Sequence, residues 1–159
     1  MSSKGASPAK RPRADAVRNR GRILEAAKAA FTRDGAGASL DDVARQAGVG
    51  SGTLYRHFAN RDALIEAVYR SEVDKLTGAG RRFAATLGPL DGLRAWMLLL
   101  IDHMAAKRLI LPAMESVAGG SGRLMEGARG VIHEVFVALV ERAIASGDLR
   151  AETDPDDFV

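Results

Sequence analysis

Apolar residues recur at helical spacing in one segment after another, and the most informative is short, running from Ser39 to Phe58. Ser39 is suited to cap a helix, with Asp41 and Asp42 in the first turn, where the helix dipole favours negative charge. Leu40, Val43, Ala44 and Ala47 fall at i, i+3, i+4 and i+7 and share one face. Gly48 follows the last periodic residue, where a left-handed position costs glycine nothing. Val49 plugs the corner, and Ser51 is predicted to cap a second helix whose Leu54 and Phe58 point inward. Two short helices around a glycine turn make a helix-turn-helix. Ser51, Gly52, Thr53, Tyr55, Arg56 and His57 are left outside, a surface of donors and acceptors with few acids that suits a DNA groove.

The flanking pattern predicts an all-α chain. A helix is expected from about Ala16 to Arg33, with Ile23, Leu24, Ala27, Ala30 and Phe31 as its stripe and Asp34-Gly35 as its stop. Asn60 is the cap of a long helix carrying Leu64, Ile65, Val68, Tyr69, Val73 and Leu76, predicted to end near Thr77-Gly78. Gly88-Pro89 opens the next. Its apolar residues from Leu90 to Met104, widened by Leu98 and Leu99, predict burial on most sides. A short segment interrupted by Pro112 runs from Arg108 to Met114, followed by a glycine-rich loop from Ala118 to Gly122. A long helix is expected from about Arg123 to Ser146, with Gly147 as its stop, and Asp154-Pro155 reads as a further N-terminus.

Charge sharpens this picture. Residues 1–61 hold 12 Lys+Arg against 5 Asp+Glu, a net of +7, whereas residues 62–159 hold 11 against 15, a net of −4. This asymmetry suggests a polyanion-binding module joined to a part that does not touch the polyanion, the alternative on charge alone being a basic tail with no partner. Residues 1–15 lack apolar period and are expected to be a disordered basic arm supplying non-specific phosphate contact. Arg18, Arg20 and Arg22 sit near the start of the first helix, unfavourably for its dipole, which makes sense if phosphates lie nearby. Ser39 and the amides of its helix are placed for a phosphate, while Ser51, Gly52, Thr53 and Arg56 are candidates for base edges.

Other chemistry is not indicated. The chain has no cysteine, which fits a reducing compartment and excludes thiolate metal sites. The N-terminus lacks the apolar region of a secretory signal. The longest apolar run, Ala95 to Ile101, is far below the roughly 20 residues that span a bilayer. Gly48, Gly50 and Gly52 match neither nucleotide-binding fingerprint. His57, His103 and His133 have no helical partner that would complete a metal site. No catalytic constellation is present, so neither an enzyme nor a cofactor is implied.

The stretch VARQAGVGSGTLYRHFANRDALIEAV resembles the tetracycline-repressor (TetR) family of bacterial one-component regulators. The resemblance is carried by Ala44, Gly48, Val49, Gly52, Thr53, Leu54, Tyr55, His57, Phe58 and Leu64, with Arg61 where the family usually has lysine. It extends back to Ile23 and covers about the first half of the chain. It implies a DNA-binding head over 16–61 and a helical ligand-binding domain over 62–159 that stops short of the family's last two helices. It also implies phosphate contacts from Tyr55, His57 and Arg61. The regulator would be a cytoplasmic homodimer in full-length form. An apolar small-molecule effector would release it from a pseudo-palindromic operator. Trp96, Leu100, His103, Met104, Met114, Met125 and Phe136 are the candidate effector residues, by resemblance and by the adaptability of methionine. The alternatives are a small-molecule sequestering protein without sequence-specific DNA binding and, less favoured, a nucleic-acid-linked enzyme.

Overall fold

In a computed structural model the chain is described over residues 10–115, 122–150 and 152. Among the described residues six α-helices follow in order: α1 (Lys10–Asp34), α2 (Leu40–Gln46), α3 (Ser51–His57), α4 (Arg61–Thr86), α5 (Pro89–Glu115) and α6 (Gly122–Ala145). A 3₁₀ turn, Gly35–Gly37, separates α1 from α2, and no strand occurs among the described residues. Of the arm expected over residues 1–15, residues 10–15 are helical and residues 1–9 lie outside the described residues, as do most of the glycine-rich loop and the expected helix start at Asp154.

Local chemistry sets most boundaries. Gly35, Gly48 and Gly147 take the positive φ values of 57°, 65° and 81° that stop α1, turn α2 and end α6. The Ser39 hydroxyl accepts from the Asp42 amide at 3.3 Å, and the Asn60 side chain accepts from Ala63 at 2.8 Å, so both serve as caps. Ser51 does not. Gly50 is the N-cap of α3, without a side-chain bond, and Ser51 is the first helical residue. The helix α1 begins at Lys10 rather than Ala16, because Pro12 is tolerated in a first turn and the following residues favour helix.

Two expected breaks are absent. The helix α4 passes Thr77-Gly78 and continues to Thr86. Its glycine at position 80 serves close packing rather than termination: a Cβ there would stand 2.3 Å from Val135 Cγ1 and 2.9 Å from Trp96 Nε1. Likewise α5 stays helical through Pro112 to Glu115. Its buried Ala113 and Met114 join the core of the front helices. That packing offsets the roughly 3 kcal/mol that an interior proline costs.

Two apolar clusters hold the fold. One gathers Ile23, Ala27 and Phe31 of α1 with Val43, Leu54, Phe58 and the first half of α4. The other gathers Leu76, Leu93, Trp96, Phe136, Leu139, Val140 and Ala143 of α4, α5 and α6. In the second, Trp96 is fully buried, stacks on Phe136 at 6.1 Å and donates its Nε1–H to the Leu76 carbonyl at 3.0 Å. The helix α5 is not buried on most sides. Leu90, Met97, Leu98, Leu99, Ile101 and Met104 are exposed, because α4 and α6 cover only the side bearing Leu93 and Trp96.

An ion-pair ladder ties α1 to α4. Lys28 and Lys75 both bond Glu72, the latter at 2.8 Å, and Lys75 also bonds Glu25. Burial alone would raise the Glu72 carboxyl, but its bonds to Lys28 and Lys75 outweigh it and hold the group below its ordinary range. His103, beside Tyr69 on the same notch, is pushed below the ordinary histidine value by burial and by Lys107 and Lys28, against the opposing pull of Glu72. Both groups bind protons less readily folded than unfolded, so acid destabilises the fold in two windows. The His103 contribution is lost as pH falls below about 6.5, and the Glu72 contribution below the normal carboxylate range. Thermal melting followed against pH should show the upper decline flattened in His103→Asn and the lower one reduced in Glu72→Gln.

Candidate nucleic-acid interface

The residues of α3 divide cleanly between core and solvent. Leu54 is 1% exposed and Phe58, immediately after the helix, 4% exposed, and both belong to the front cluster. Their burial fixes which side of a seven-residue helix turns outward. Ser51, Gly52, Tyr55 and Arg56 are exposed, Tyr55 by 49%, and Thr53 and His57 are half-buried. Gly52 has no atom within 4 Å of where a Cβ would stand, so it leaves an open approach.

The polar groups on this side are partly organised among themselves. The Ser51 hydroxyl donates to Asp41 Oδ1 at 2.7 Å, bridging α3 to α2. Arg56 curls over its own helix, its Nε–H donating to the Gly52 carbonyl at 3.2 Å and its Nη2 to Thr53 Oγ1 at 3.3 Å. Cations of α1 flank the motif. Arg20 lies over the Phe58 ring at 4.8 Å, and Arg22 lies against the turn at Gly48. Arg18 is exposed and pairs with Asp15. Ser39, exposed at the start of α2, retains its capping role.

Two expected phosphate contacts are placed differently from a simple outward face. The Arg61 guanidinium turns inward: it bonds the Ala38 carbonyl, lies 5.8 Å from the Phe31 ring centre, and buries Nη1 without a hydrogen bond. A basic side chain at a helix start finds less dipole repulsion over an aromatic face and a carbonyl, and in this conformation it staples α4 to the loop before α2. His57 sits at 6.2 Å from the Phe58 ring, where it helps line a cleft of about 530 Å3 with Arg20, Leu24, Glu66 and Arg70. The sequence marked Asp41 only as a first-turn acid, and not as the partner of Ser51. Its partner lies ten positions away across a turn, so no helical period signals the pair.

The seven expected effector residues do not converge. Trp96, Leu100 and Phe136 belong to the rear cluster, where Trp96 and Phe136 fill their own space against each other. Met114 and Met125 pack with the front cluster instead. His103 faces a groove of about 310 Å3 among Lys28, Glu72, Leu99 and Asp102, and Met104 is exposed. The helices that carry them do face one another, but α5 runs unbroken through Pro112, so Met114 reaches the front cluster while Trp96 and Phe136 close on each other in the rear one. Among the described residues no cluster of three or more His, Cys, Asp or Glu has metal-binding geometry, and no described helix is long and apolar enough to cross a membrane.

The comparisons fall on the same elements. Residues 23–68 match the model of the bacterial regulatory proteins of the tetR family. The chain is 40% identical to a TetR transcriptional regulator of Streptomyces coelicolor, covering 87% of this chain and 79% of that one with a TM-score of 0.79. It is 33% identical to a TetR transcription regulatory protein of Mycobacterium vanbaalenii, covering 92% and 88% with a TM-score of 0.84. It is 28% identical over 144 residues to the HTH-type transcriptional repressor KstR2 of Mycobacterium tuberculosis, covering 86% of this chain and 72% of that protein. With its helix-turn-helix built from α2 and α3 and these relatives matched over most of their length, the chain belongs to the tetR family of bacterial transcriptional regulators.

Proposed function

We propose that the outer side of α3 enters the major groove of a double-stranded operator, and that the chain acts as a homodimeric repressor released by a small-molecule effector. The observation that carries the DNA reading is the split of α3 into a buried Leu54–Phe58 edge and an exposed polar side. Ser51, Gly52, Thr53 and Arg56 are the base-reading candidates, and Arg18, Ser39, Tyr55 and His57 position the backbone. Arg61 joins them only by leaving Ala38 and Phe31. The repressor reading is supported by the name of KstR2, and the dimer and the effector by the family.

The proposed division of labour places DNA contact in residues 16–61 and effector response in 62–159. Two routes connect them: α4, which contributes to both cores, and the far end of α5, whose Ala113 and Met114 lie in the front cluster. An apolar small molecule that shifts either should lower operator affinity. The reading is tested by binding to random duplex DNA at about 50 and 200 mM salt, where phosphate contacts predict a steep fall in affinity. An absent or salt-independent affinity would favour a small-molecule binding protein without DNA function.

A narrower expectation concerns Tyr55, whose ring is half-exposed at the edge of the motif. Tyr55→Phe should weaken binding to every duplex alike, by about the 1 kcal/mol of one hydrogen bond. A loss confined to one operator base, in competition assays, would assign the hydroxyl to base reading instead.

A further inference from the structure

The exposed hydroxyl of Ser51 is not a free rotor. It stands at the first residue of α3 and gives its proton to Asp41 Oδ1 at 2.7 Å, a bond to an ionised acceptor and therefore stronger than one between neutral groups. A serine hydroxyl has one proton and two lone pairs. With the proton committed to Asp41, only lone pairs remain for a ligand. A serine free to rotate reads donors and acceptors on base edges alike. This one is an acceptor. Asp41 is also exposed and adds a second acceptor beside it. Guanine presents only acceptors in the major groove, N7 and O6, and thymine presents O4, so both are disfavoured opposite this pair. Cytosine N4 and adenine N6 carry amino protons and are favoured.

Accepting α3 as the groove-reading element, we propose that Asp41 is a specificity-determining positioning residue: it fixes the Ser51 hydroxyl as an acceptor and biases one base position of each half-site toward an amino-bearing base. The residue acts through Ser51 and not by holding the DNA backbone, since a carboxylate offers no donor to a phosphate and its described bond is to the Ser51 hydroxyl. The partner chemistry is therefore an exocyclic amine on the edge of cytosine or adenine, at a single step.

Selection of duplexes from a randomised library by the wild-type chain, Asp41→Ala, Asp41→Asn and Ser51→Ala separates the possibilities. Far-UV circular dichroism confirms that each variant is folded. The wild type should prefer cytosine or adenine at one position, by about fivefold, the worth of one hydrogen bond. Asp41→Ala and Ser51→Ala should abolish that preference at the same position. Asp41→Asn removes the charge but keeps an acceptor for the serine proton, and should retain it. Salt dependence should show no loss of phosphate contacts in Asp41→Ala. The inference is overturned if the preference survives Asp41→Ala, if the two alanine variants act at different positions, or if Asp41→Asn loses it as fully as Asp41→Ala. A wild-type chain that selects no base preference at any position overturns the operator reading as well. Intact preferences in every variant overturn the roles of both Asp41 and Ser51 and leave the operator reading standing.

Discussion

Trp96→Ala should lower the stability of the chain by about 3–5 kcal/mol, the cost of emptying a fully buried aromatic site. The loss has two parts. The stacked contact with Phe136 disappears, and so does the bond from the indole N–H to the Leu76 carbonyl. Against a total stability of about 5–15 kcal/mol for a domain, this removes a large share. The neighbouring position makes the opposite test. Gly80→Ala adds one methyl where Val135 and Trp96 already meet the backbone, and should destabilise by roughly 1–3 kcal/mol despite alanine's better helix propensity. The two changes should not add, because the cavity left by Trp96 relieves part of the crowding at Gly80. Urea titration of the two single variants and the double variant measures the coupling. A fully additive pair would mean that α4 and α5 do not meet here as described.

Leu54→Ala should have the larger functional effect. This side chain is 1% exposed and, with Phe58, anchors α3 to the front cluster. Truncation should cost about 2–5 kcal/mol, and much of it falls on a helix of seven residues that has little stability of its own. DNA affinity should therefore fall by about a hundredfold or more even at temperatures where most helicity persists, since base reading demands a fixed orientation. Fluorescence anisotropy with duplex DNA, beside circular dichroism at the same temperature, makes the comparison. Retained affinity at native helicity would show that α3 does not need its anchor to bind.

The head was legible in the sequence because its geometry is decided within a few residues. Ser39, Gly48 and Asn60 each specify a cap or turn by their own chemistry, and Leu54 with Phe58 sets the facing of α3. The rear half was less legible because the same residue types serve two purposes. Thr77-Gly78 looks like a stop, yet α4 runs on to Thr86 because its next turn, at Gly80, packs directly against Trp96 and Val135. Pro112 looks like a break until Ala113 and Met114 are seen buried among the front helices. The apolar run of α5 reads as all-round burial, yet which side is covered depends on where α4 and α6 cross it, and Leu98 and Ile101 remain 57% and 61% exposed. The expected effector residues are divided between the front cluster, the rear cluster and the exposed side of α5. Arg61 shows the same limit at one side chain, since family position suggests phosphate and the local carbonyl and aromatic ring draw it inward.

If the polar side of α3 meets DNA, bound duplex must shield it from solvent. The chain has no cysteine, so a single thiol can be placed without background. Thr53→Cys on α3 and Met97→Cys on the exposed side of α5 would be alkylated with and without saturating duplex DNA at low salt, with binding confirmed in the same samples by anisotropy. The prediction is that DNA slows labelling at position 53 by about tenfold or more while position 97 reacts unchanged, as expected for a side chain enclosed in a groove. Equal labelling at position 53 with DNA fully bound would contradict it.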